Sequence, residues 1–168
     1  MQRIGIYAPV ELTADLSALS DNQRALIAKL IEASEIMDDL FWKQAYGDKD
    51  ALLNSLQDEN TRRFAEINYG PWDRLAGDRP FVDGIGDKPL GANFYPADMT
   101  REEFEAWDNP DKRGLYSLVR RDTDGNLVLV PYHEAYRAEL ERAANLLREA
   151  AGLAEIESFA RYLRMRAD

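Results

Sequence analysis

The chain has 168 residues, 45% of them hydrophobic and 31% charged, the profile of an ordinary globular protein with a core of its own. Its formal net charge is −10, which disfavours nucleic acid as a partner, because phosphate recognition needs clustered Lys and Arg. Cysteine is absent, so a disulfide framework, a thiolate metal site and a Cys nucleophile are all excluded. No apolar run approaches the roughly 20 residues that span a bilayer, and no membrane role is expected.

The fold class expected is mainly α: a helical domain with one β-hairpin and a long ordered loop rich in Pro, Gly and aromatics. Residues 1–70 read as a helical hairpin. Ser20 and Gln23 form a capping-box pattern ahead of a helix over 20–46, with Leu26, Ile27, Leu30, Ile31, Met37, Leu40 and Phe41 as its apolar stripe. Gly47 ends it. A second helix starts near Asp48 and directs Leu52, Leu53, Leu56, Phe64 and Ile67 inward, with an interruption at 58–60. So short a link implies an antiparallel pair.

Residues 71–99 have no sustained period. Pro71, Pro80, Pro89 and Pro96, with Gly77, Gly84, Gly86 and Gly91, exclude regular helix. Trp72, Phe81, Phe94 and Tyr95 argue for packing rather than disorder. Loops of this length in compact domains usually carry function.

Residues 100–130 begin with a second capping box, Thr100 and Glu103, opening a short helix that Asn109-Pro110 stops. Residues 116–121 and 127–130 are β-like, with the Asp124-Gly125 turn signal between them. Over 131–168, Pro131 opens a helix with Tyr132, Tyr136, Leu140, Ala143, Leu147 and Ala150 on its apolar face, and Gly152 suits its C-cap. A last helix from about Glu155 places Ile156, Phe159, Ala160 and Leu163 inward. The whole reads as a single domain or as the N-terminal fragment of a larger protein.

Few residues invite chemistry. His133 is the only histidine, and without a second His or any Cys a zinc site would need carboxylates for its other ligands, so surface packing is the plainer role. Asp38 and Asp39 are adjacent in mid-helix, about 100° apart, and one of them should sit at the edge of the apolar stripe. Nothing makes them converge as a catalytic pair. From Asp122, a calcium loop would need Gly at the sixth position and Glu at the twelfth; Gly stands fourth and His133 twelfth, which leaves a turn. The run Gly91-Ala92-Asn93-Phe94-Tyr95-Pro96-Ala97-Asp98-Met99 is the most distinctive. Pro96 holds Tyr95 extended, and the Asn93 amide can both donate to and accept from a peptide backbone. Asn93, Phe94 and Tyr95 are therefore candidate substrate-binding residues. Packing of the aromatics beneath the loop is the alternative. No catalytic and no metal-ligating residue is assigned.

Three strings carry a resemblance: Ile36-Met37-Asp38-Asp39-Leu40-Phe41-Trp42-Lys43-Gln44-Ala45-Tyr46, Tyr69-Gly70-Pro71-Trp72, and 91–99 followed by 100–104. With 115–121, Val130-Pro131-Tyr132 and the helix over 159–168, they resemble the N-terminal region of bacterial dipeptidyl-peptidase III-like zinc metallopeptidases, and of the plant proteins that join a nudix domain to such a peptidase. The resemblance implies a hydrolase that releases dipeptides from peptide N-termini. Its zinc is held by a His-Glu helix motif downstream of the region matched here, and that motif is missing from this chain. On that reading the chain alone is inactive and carries no cofactor, and zinc belongs to the complete enzyme. Its partners are then the remainder of the peptidase and a peptide substrate. Location is left open between periplasmic and cytoplasmic: the N-terminus lacks an apolar stretch long enough for a signal peptide, while the resemblance implies relatives that often follow an export signal. A stand-alone, non-enzymatic helical interaction domain is the alternative.

Overall fold

A computed structural model describes residues 3–168. In chain order the elements are α1 (Asp21–Ala45), α2 (Lys49–Ser55), α3 (Glu59–Asn68), β1 (Trp72–Asp73), β2 (Arg79–Pro80), α4 (Arg101–Ala106), β3 (Ser117–Arg121), β4 (Leu127–Pro131), α5 (Tyr132–Ala135), α6 (Arg137–Leu153) and α7 (Glu157–Ala167). The architecture is mainly α with small antiparallel hairpins, as expected. Packing divides it into two compact units. One joins the stretch ending at Ala8 to Phe41–Ala135; the other joins Pro9–Leu40 to Tyr136–Asp168.

Helix starts follow the local chemistry. The Gln23 N–H donates to Ser20 Oγ at 3.1 Å and the Ser20 N–H donates to Gln23 Oε1 at 3.1 Å, a complete capping box. Asp48, Asp58 and Thr100 cap α2, α3 and α4 by accepting from Ala51, Thr61 and Glu103 N–H groups. The Gly47 N–H, at φ +125°, bonds back to Trp42 O and closes α1.

The second unit has its core where α1 meets α6 and α7: Leu26, Ala150, Ala151 and Leu163, flanked by Leu30, Leu147 and Leu153. The buried line along α1 is Leu26, Ala33, Ile36 and Leu40. It differs from the stripe expected, because Ile31, Met37 and Phe41 are substantially exposed. Small Ala33 completes the i, i+3, i+4 row, and hydropathy alone underrates it. Asp38 lies half-buried and Asp39 exposed.

Three further expectations, for the C-terminal part of the chain, are corrected. Pro131 closes β4, opposite Ser117, rather than opening a long helix, and Tyr136, at φ −122° and ψ 29°, separates α5 from α6. Gly152 stays inside α6, which ends at extended Ala154. Ala160 and Leu163 are buried on α7, but Ile156 and Phe159 are exposed.

The first unit is built on aromatics. Trp42, Leu52, Leu56 and Ala65 form its core, with Tyr46, Leu53, Tyr69, Phe81 and Val82 against them. Phe41 meets Tyr69 edge-on at 4.7 Å, Phe64 meets Phe81 at 4.7 Å, and Tyr46 meets Trp72 at 5.7 Å. Tyr69 caps α3 in the left-handed region at φ 52°, and Gly70 follows at φ 147°. A Cβ on Gly70 would lie 3.3 Å from the Trp72 ring, so the Tyr-Gly-Pro-Trp turn needs glycine there.

The 71–99 stretch holds a hairpin that periodicity did not show. β1 and β2 have two residues each and pair Trp72 with Pro80 and Asp73 with Arg79. Buried Asp73 organises it: its carboxylate accepts from the Leu75 N–H at 3.0 Å and from Arg3 Nε, and its carbonyl accepts from the Asp78 N–H. The larger hairpin, β3–β4, pairs from Ser117↔Pro131 to Arg121↔Leu127. Two strands alone are marginal in water. Here Leu118 and Val119 are both buried, so both faces of β3 are covered, and α5 packs back on the pair.

Candidate functional site

The loop over 91–99 contains a three-residue 3₁₀ turn, Ala92–Phe94, entered through two residues in the left-handed region, Gly91 at φ 76° and Ala92 at φ 48°. Tyr95 leaves it extended, at φ −124° and ψ 158°, as a residue before proline should. Its ring packs under Gly91 and meets Phe104 of α4 edge-on at 5.8 Å.

Three elements fasten this loop. From α1, the Lys43 carbonyl accepts from Asn93 Nδ2 at 2.7 Å. Carbonyls of a helix's last turn have no partner within the helix, and the Asn93 amide supplies one. From β3, Arg120 Nη2 donates to the Asn93 carbonyl at 3.0 Å and Nη1 donates to the Phe94 carbonyl at 3.2 Å. Arg121, next along the strand, donates through Nε to Asp98 at 2.8 Å and through both terminal nitrogens to Glu103 at 2.8 and 2.9 Å. The two-pronged bond from Arg121 holds Glu103 below the usual carboxylate range, and Glu103 with Asp98 in turn raises Arg121 further.

Asn93 is exposed; Phe94 and Tyr95 are half-buried. Phe94 helps line an open cleft of about 580 Å³ whose other walls are Gly77, Asp78 and 87–92, with Lys88 bonded to Asp78 at 3.0 Å. Asn93 and Tyr95 are not among the residues lining that cleft. Thus the three candidate residues are brought together with three directions: Phe94 to the cleft, Tyr95 to α4, Asn93 to the end of α1. One of the four hydrogen-bonding positions of the Asn93 amide is taken by Lys43.

Arg120 and Arg121 are the residues that sequence reasoning passed over. Two consecutive arginines closing a strand beside an aspartate-rich turn are the signal that could have marked them. His133 is exposed on α5, its ring 3.9 Å from the Glu134 carboxylate. Among the described residues no group of three or more His, Asp or Glu side chains is placed to hold a metal ion. No helix among them is long and apolar enough to cross a membrane.

The structure of dipeptidyl-peptidase III from Caldithrix abyssi superposes on 98% of this chain with a TM-score of 0.89 and 39% sequence identity. The chain thus resembles a part of dipeptidyl-peptidase III. Dipeptidyl-peptidase III from Corallococcus sp. strain EGB is similar over 96% of the chain, with a TM-score of 0.88 and 38% identity. Nudix hydrolase 3 of Arabidopsis thaliana is 26% identical over 96% of the chain. No protein-family model matches. The chain spans about a third of each dipeptidyl-peptidase III structure, 33% and 32%, and 29% of the plant protein. Of the three strings that carry the resemblance, those over 36–46 and 69–72 meet in the aromatic core, where Phe41 and Trp42 pack on Tyr69, and 91–99 is the loop that Arg120 and Arg121 hold.

Proposed function

We propose that this chain is the N-terminal, metal-free portion of a zinc-dependent peptidase that releases dipeptides from peptide N-termini, and that its 91–99 loop forms part of the peptide-facing surface. The observation that carries the reading is the close similarity, over nearly the whole chain, to about a third of two dipeptidyl-peptidase III structures. The zinc follows from the resemblance. On that resemblance its ligands and the water it would activate belong to the remainder of the enzyme; among the described residues no group of three or more His, Asp or Glu is placed to hold a metal ion.

What this portion contributes is shape and hydrogen bonding. Asn93 is exposed and carries an amide, and Phe94 presents an aromatic ring to an open cleft. An extended peptide needs such a combination: backbone polar groups to pair with and an apolar wall for a side chain. Because the loop is fastened to α1, β3 and α4, it would meet the peptide with little ordering cost.

The test is the native reading frame. Its full-length product should hydrolyse dipeptidyl-arylamides and lose that activity to a chelator, while the 168-residue chain should do neither. A frame that stops at Asp168, or a full-length product inert towards such substrates, would overturn the reading.

A further inference from the structure

We infer that Arg120 is a positioning residue, setting the geometry with which Asn93 and Phe94 meet the peptide; the inference rests on the peptidase reading above. Its guanidinium gathers three carbonyl oxygens from two segments: Asn93 at 3.0 Å, Phe94 at 3.2 Å, and Val119 of its own strand at 2.8 Å. Asn93 is thereby gripped twice, through its backbone by β3 and through its side chain by the last turn of α1.

The turn's own bonds, from the Ala92 N–H to Pro89 O and from the Phe94 N–H to Gly91 O, each 3.0 Å, close it only on itself; Arg120 ties the Asn93 and Phe94 carbonyls to β3. The turn has only three residues, and it is entered through two positive-φ residues, an arrangement that the backbone does not favour unaided. Phe94 is half-buried and Asn93 exposed, so burial alone does not fix their side chains. A planar guanidinium supplies donors at fixed angles and can bridge neighbouring carbonyls, whereas a lysine ammonium reaches them one at a time. Arg121 grips Asp98 and Glu103 further along, and so anchors the far end of the loop rather than the turn. Displacing a binding group by about 1 Å is enough to weaken substrate handling.

The experiment uses the full-length peptidase, with Arg120→Gln, Arg120→Lys, and Arg148→Gln as an arginine control outside the loop. Folding is checked by thermal melts, and KM and kcat are measured separately on a dipeptidyl-arylamide. Arg120→Gln should raise KM about 3- to 10-fold, the effect of misplacing a hydrogen bond, with kcat within about twofold. Arg120→Lys should recover part of the loss, and Arg148→Gln should change neither constant. If the wild-type protein does not hydrolyse the substrate, the peptidase reading falls and takes this inference with it. If wild type is active and KM of the folded Arg120 variants stays within about twofold of it, Arg120 is scaffold only; the inference then falls while the peptidase reading stands. Should Arg120→Gln fail to fold, Arg120→Lys decides on the same criterion.

Discussion

Replacing Gly91 by alanine tests directly how the loop is held. Gly91 sits at φ +76°, and a Cβ there would come within 2.3 Å of Tyr95 Cδ2 and 2.6 Å of Cε2. An L-residue in the left-handed region costs about 1–2 kcal/mol. An ordinary carbon contact is about 3.5–4.0 Å, so the Tyr95 ring must also retreat by about 1 Å. It then gives up its edge-on contact with Phe104, and such forced repacking costs about 1–3 kcal/mol. The sum is about 2–5 kcal/mol. Gly84 provides the control: its φ is +82° but nothing lies within 4 Å of its would-be Cβ, so Gly84→Ala should show the backbone cost alone. Urea denaturation followed by tryptophan fluorescence reads both, as lower midpoints at unchanged slope. In a Tyr95→Ala background the Gly91→Ala cost should shrink to that of Gly84→Ala, because the clash is gone. Equal costs for Gly91→Ala and Gly84→Ala in the wild-type background, within about 0.5 kcal/mol, would refute the close packing of Tyr95 on this turn.

Asn93→Ala should lower the stability of the chain by about 0.5–1.5 kcal/mol through loss of the bond to the Lys43 carbonyl, checked by thermal melts. In the full-length enzyme it should also cost about 1–3 kcal/mol in kcat/KM if the amide contacts peptide; unchanged constants in the folded fraction would make it scaffold alone. Asp73→Ala leaves the Leu75 N–H and Arg3 without their buried acceptor and should destabilise by about 1–3 kcal/mol in urea titrations. Acid should loosen the α4 and hairpin region. Glu103 is held low by the Arg121 bond and Asp122 by the Asn126 N–H, so their stabilisation is complete above the ordinary carboxylate values and is lost as pH falls through the lower folded ones. Chemical-shift titration should therefore give both carboxyls midpoints below those of their free side chains, and an ordinary midpoint for Glu103 would contradict the arginine grip on it.

What the sequence determined by itself is whatever depends on neighbours a few positions away. The Ser20–Gln23 box, the Asp48 and Thr100 caps, the Gly47 stop and the Asp124-Gly125 turn are all legible, because each is completed within about four residues. The distinctive loop was legible for a similar reason, since Pro96 and Gly91 restrict their own backbones. Tertiary structure decided the rest. Only packing partners distinguish buried Ala33 and Ile36 from exposed Ile31 and Met37 on the same helix. The two-residue strands β1 and β2 are too short for any period and exist through Asp73, whose partner Arg3 lies 70 positions away. Gly152 stays helical and Tyr136 breaks the helix, against their local preferences, inside a fold that overrides propensities worth less than about 1 kcal/mol. The grip of Arg120 on Asn93 spans 27 residues and that of Arg121 on Asp98 spans 23, distances over which no local pattern constrains a contact. Local backbone chemistry therefore made the loop recognisable, while only the folded chain could bring β3 and the end of α1 together to hold it.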